Sequence, residues 1–86
     1  MVIDMHVARK YYDNGQLWYE WPSVDGVFHG INRTWYKNGN LSVYQPYVNG
    51  KWLGMFLAFN EIGSLHKIMI HKDNSAYGIK IGFNYK

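Results

Sequence analysis

The chain repeats itself every 24 residues. Tyr11-Tyr12-Asp13-Asn14-Gly15-Gln16-Leu17 aligns without a gap on Trp35-Tyr36-Lys37-Asn38-Gly39-Asn40-Leu41, and Phe59-Asn60-Glu61-Ile62-Gly63-Ser64-Leu65 follows at the same step. Gly30, Gly54 and Gly78 form a second glycine column, and Pro22 and Pro46 also coincide. A turn column runs Asp25-Gly26, Asn49-Gly50, Asp73-Asn74, and an aromatic column runs Tyr11, Trp35, Phe59, Phe83. A period of this length marks one supersecondary unit that stacks on its neighbours. The 86 residues hold about three and a half such units in a single repeat domain. A partial unit occupies 1–12, and further units occupy about 13–36, 37–60 and 61–84.

Each unit contains two x-Asn/Asp-Gly turn signals, separated by strand-length runs rich in Tyr, Trp, Val, Ile and Phe. The pattern predicts strands near 4–12, 16–23, 27–36, 40–47, 51–60, 64–72 and 76–85. This is an all-β fold, an antiparallel meander of about seven strands in a twisted open sheet. No long stretch with helical periodicity is free of glycine and turn signals. Three-residue loops at every turn conserve parity, which places odd-numbered strand residues on one apolar face. The rival is a two-residue turn at Asn49-Gly50, with Gly30, Gly54 and Gly78 as bulge sites that restore the faces.

Composition narrows the function classes. Hydrophobic residues are 48% and charged residues 17%, so the chain is not disordered. Cysteine is absent, which excludes disulfides and thiolate chemistry. The formal charge of +3 is scattered, with only Arg9-Lys10 adjacent, so no nucleic-acid arm is indicated. No apolar run reaches the length of a membrane span and no secretory signal opens the chain, so a cytoplasmic location is expected. His6, His29, His66 and His71 do not form a metal-ligand pattern. Ser23, Ser42, Ser64 and Ser75 have no evident His–acid partner, and no catalytic motif is present. The expectation is a non-enzyme with no cofactor and no metal.

Two groups of residues are candidates for binding. Arg9 and Arg33 are repeat equivalents, with Leu57 and Ile81 in the other copies. On the odd face they would run beside Tyr11, Tyr19, Trp21 and Trp35. There they either grip an anionic ligand such as a nucleotide or pair with Glu20 or Asp25. The even-face aromatics Trp18, Tyr44, Trp52 and Phe56 are the second group. The equivalents of Trp18 are Ser42 and His66, so the repeat does not require tryptophan there. Such aromatics either anchor an interface or pair across strands. A meander without a covering layer also predicts self-association, with Trp35, Leu57, Phe59, Ile81 and Phe83 in or beside the contact.

The segment Gly30-Ile31-Asn32-Arg33-Thr34-Trp35-Tyr36-Lys37-Asn38-Gly39-Asn40-Leu41 resembles the MORN repeat variant. Gly54 to Leu65 repeats the pattern, with Asn60 and Ile62 departing from it. His6 stands where a first glycine is expected. The resemblance implies an elongated sheet that mediates protein–protein contact and self-association. It further implies an antitoxin-like component, in a bacterium or a virus-infected cell, that neutralises a protein partner. The alternative is a small-ligand sequestering protein. No polybasic cluster beside an amphipathic helix supports membrane binding.

Overall fold

The computed structural model describes residues 4–72 and the strand at 75–82. Val2-Ile3, Asp73-Asn74, Phe83 and Tyr85 lie outside the described residues. Nine strands follow one another: β1 Met5–Tyr11, β2 Leu17–Val24, β3 Val27–Phe28, β4 Gly30–Trp35, β5 Leu41–Val48, β6 Lys51–Trp52, β7 Gly54–Phe59, β8 Leu65–Lys72 and β9 Ser75–Gly82. β3 and β4 pair with the same neighbour, as do β6 and β7, so the chain traces seven strand paths. Every pairing is antiparallel and joins sequence neighbours, as the repeat predicts.

The two turns of each unit differ. The Lys37-Asn38-Gly39 type is a three-residue loop, closed by Tyr36 N–H on the Asn40 carbonyl at 2.8 Å. Gly39 takes φ +95°, and Gly15 and Gly63 match it. The side-chain Oδ1 of Asn38 accepts the Asn40 N–H and holds the loop closed. The second turn is shorter than the three-residue reading requires. Val48 pairs with Lys51 and Val24 with Val27, which leaves two residues in each turn. Both residues have positive φ: Asn49 at 50° and Gly50 at 81°, Asp25 at 51° and Gly26 at 81°. That is the type I′ geometry favoured by Asn-Gly and Asp-Gly, whose twist matches the flanking strands.

Bulges complete the register. Thr34 pairs with Val43 but Trp35 with Leu41, so Ser42 is an extra residue. Trp18 and His66 are extra at the equivalent places. A second irregularity inserts His29-Gly30 and Leu53-Gly54, each opposite a proline that offers no ladder N–H. The carbonyl of Pro22 accepts from His29 and that of Pro46 from Leu53. In consequence the pairings beyond the bulge couple an odd-numbered residue with an even-numbered one, as in Arg33 with Tyr44 and Leu57 with Ile68; only the loop-end pairs, such as Trp35 with Leu41, stay odd with odd. The all-odd apolar face is therefore not formed. Even residues of β1, β4 and β7 share a face with odd residues of β2, β5 and β8.

The sheet has overall extents of 52 × 38 × 12 Å, one layer thick. Among the described residues no apolar side chain is buried. The buried ones are polar: Asn32, Gln45 and His71. No helix of the described residues is long and apolar enough to cross a membrane.

Candidate functional site

Asn32, Gln45 and His71 stand on the same face, and aromatic rings surround them. Asn32 and Gln45 are directly paired across β4 and β5. Trp21, Phe28, Tyr47, Trp52 and Phe56 rise around them to form a groove of about 300 Å³. The rings brace one another. Tyr19 stacks on Trp21 at 4.0 Å between centroids, Trp21 meets Phe28 edge-on at 6.0 Å, and Phe28 tilts against Tyr47 at 5.1 Å. The Trp52 indole N–H donates to the Tyr47 hydroxyl at 3.0 Å. Rigid rings held by neighbours lose little entropy when a ligand docks on them.

A second compartment of about 280 Å³ shares Gln45, Trp52 and Phe56 with the first, and adds Lys67, Met69 and His71. The His71 ring lies 4.9 Å from Trp52 and 5.9 Å from Phe56, between centroids. Among the described residues, neither compartment is lined by an acidic one. Two of the buried polar atoms, Asn32 Oδ1 and His71 Nδ1, have no hydrogen-bond partner. The amide of Gln45 is engaged, its Nε2 donating to the Pro46 carbonyl at 3.1 Å.

The opposite face is graded. One row of cross-strand neighbours runs Arg9, Glu20, Arg33, Tyr44 and continues through Leu57, Ile68 and the β9 position of Ile81. Its first half is an ion-pair network. Arg9 Nε donates to Glu20 at 2.8 Å, Arg33 reaches the same carboxylate at 3.7 Å, and the Arg33 guanidinium stands 5.8 Å from the centre of the Tyr44 ring. Its second half is apolar, where Leu57 and Ile68 adjoin the pair Met55 and Ile70.

The sequence candidates are thus divided between two faces. Arg9, Arg33 and Tyr44 lie together on the graded face, and the arginines pair with Glu20, one of the two partners expected for them. Trp21, Trp52 and Phe56 line the groove on the other side. Trp18, the extra residue of its bulge, stacks on Tyr12 at 5.3 Å and sits under Lys10 at 5.5 Å, beyond the groove. Tyr19 and Trp21 are on the groove face, away from the arginines, because the bulge inverts the parity between β1 and β2. Of the self-association set, Leu57 is on the graded face, Trp35 and Phe59 are at the loop ends of β4 and β7, and Phe83 lies outside the described residues. Sequence reading did not single out Asn32, Gln45 or His71 as a group. They are not repeat equivalents of one another, and an amide on a strand carries no signal of burial until the flanking rings are placed.

Successive hairpins are clipped together at their loop ends. The Tyr12 hydroxyl donates to the Trp35 carbonyl at 2.6 Å and the Tyr36 hydroxyl to that of Phe59 at 2.7 Å. Asn14 and Asn38 likewise donate to the carbonyls of Lys37 and Glu61. These are the tyrosine and asparagine of the repeat motif, each fastening its own hairpin to the next. A family model for the MORN repeat variant matches residues 7–25 and 28–49. The two matched hairpins are MORN variant repeats. The first match spans most of β1 and β2, and the second runs from the end of β3 through β5. No curated protein and no solved structure matches the chain. The third MORN-like hairpin, β7–β8, keeps the register of the first two. There Asn60 replaces the clipping tyrosine, and Ile62, 80% exposed, replaces the clipping asparagine. The MORN match suggests a repeat-built binding module.

Proposed function

We propose that the chain is a non-catalytic module that holds a protein partner across its graded face. The observation that supports this is the single layer: Met55, Leu57, Ile68 and Ile70 have no covering element among the described residues, and Met55 is 48% exposed. Covering such side chains is worth roughly 1.5–3 kcal/mol each when burial is complete. A partner segment that is apolar at one end and acidic at the other matches the passage from Leu57 and Ile68 to Arg33 and Arg9. The family resemblance extends this reading to an antitoxin-like role in which the partner is neutralised. A second copy is the other protein that fits, with Leu57 and the strand of Ile81 at the contact.

The test is capture with the full chain as bait, in parallel with Leu57→Glu and Trp52→Ala. The expected result is one partner retained by the wild type and Trp52→Ala and lost by Leu57→Glu. Light scattering on the same three proteins separates a second copy from a foreign partner. Equal capture by all three, or loss only with Trp52→Ala, would remove the graded face from consideration.

A further inference from the structure

We infer that the aromatic groove is a nucleotide site, with the base over Asn32 and the phosphate toward Lys67. This site lies on the face opposite the proposed protein contact and does not depend on it. Four observations converge. The groove walls include Trp21, Phe28 and Trp52, flat rings of the kind on which bases stack. Asn32 is only 8% exposed, yet its Oδ1 has no hydrogen-bond partner. A buried carbonyl oxygen in that condition costs stability unless a donor fills it. The adjoining compartment carries Lys67 and the unpartnered Nδ1 of His71, which is 6% exposed, and among the described residues no acidic one lines either compartment.

These features select among ligands. An asparagine carboxamide matches the amine edge of adenine: Oδ1 accepts from the exocyclic N–H, and the Nδ2 beside it is the donor suited to the neighbouring ring nitrogen. A carbonyl in place of the exocyclic amine would set oxygen against the unpaired Oδ1. From β4 to β8 there are three strand spacings, about 14 Å in all. The lysine stem shortens that span toward the base compartment, so a nucleoside monophosphate can touch both. The size of the first compartment is at the lower end for small-ligand sites, where a few polar groups orient a mostly apolar contact.

The arginines on the other face are poorer anion sites. Arg9 and Arg33 already share Glu20, and among the described residues no unpartnered buried atom accompanies them.

The experiment is tryptophan fluorescence of the full chain titrated with adenosine monophosphate, inosine monophosphate and adenosine. Saturable quenching by adenosine monophosphate is expected, with inosine monophosphate weaker by about 10-fold or more, since it presents a carbonyl to Asn32. Asn32→Leu should abolish that discrimination, and Lys67→Gln should weaken adenosine monophosphate while leaving adenosine unchanged. Should Asn32→Leu fail to fold, the comparison of the two monophosphates on the wild-type chain decides alone. No quenching at millimolar adenosine monophosphate overturns the inference. Equal binding of the two monophosphates does so too, as does quenching by a single-stranded oligonucleotide without any by the monophosphate.

Discussion

Replacing Gly30 by alanine should cost more than replacing Gly54, although the two glycines are repeat equivalents. Both stand in the bulge opposite a proline, at φ +112° and +102°. An L residue held there carries strain of about 1–2 kcal/mol, offset by about 0.4–1 kcal/mol from the stiffer unfolded chain. At Gly54 the new Cβ would lie 3.5 Å from Pro46 Cγ, an ordinary contact. At Gly30 it would lie 3.0 Å from Pro22 Cγ, on a ring that cannot rotate aside. Overpacking of that kind adds about 1–3 kcal/mol. Gly54→Ala should therefore destabilise by about 0.5–1.5 kcal/mol and Gly30→Ala by about 1.5–4 kcal/mol. In a domain of this size each kcal/mol moves the midpoint by about 4–8 °C, so thermal melts resolve the difference and urea titration confirms it. Placing Gly30→Ala in a Pro22→Ala background should bring its cost down to that of Gly54→Ala. Equal costs for the two glycines, or a Gly30→Ala cost indifferent to Pro22, would refute the reasoning.

The clips between hairpins give further expectations. Tyr36→Phe removes the donor to the Phe59 carbonyl and should cost about 0.5–1.5 kcal/mol in urea unfolding, as should Tyr12→Phe at the Trp35 carbonyl. Asn38→Ala removes both the loop-closing acceptor and the link to Glu61, and should increase hydrogen exchange at the Asn40 amide. Glu20→Gln should change stability by less than about 1 kcal/mol, because Arg9 and Arg33 are substantially solvent-exposed, and the change should shrink as salt is added.

Strand order and loop glycines were legible because turn chemistry is local. Gly39 after Lys37-Asn38 has few alternatives once the chain must reverse there. The face assignment was not legible, since it depends on counting residues through Ser42 and through Leu53-Gly54, and a bulge of one residue exchanges all that follows. The pairing of Arg9 with Glu20 was among the expected outcomes, while the presence of Arg33 on the same carboxylate needed the register of β2 against β4. Asn32 and His71 became candidates only through burial, and burial in a single layer is set by neighbouring rings rather than by a residue's own polarity.

The unit length itself constrains how such a chain can change. Pairing partners advance by the same 24 residues at each step, and every strand alternates its faces. Excising or duplicating one whole unit keeps each surviving residue on its original side and simply narrows or widens the sheet by two strands. Losing a single residue from a strand would turn the rest of that strand inside out, carrying rings from the groove to the graded face. Gene-level growth of this molecule is therefore quantised: lengths that differ by complete units preserve the two surfaces, and intermediate lengths scramble them.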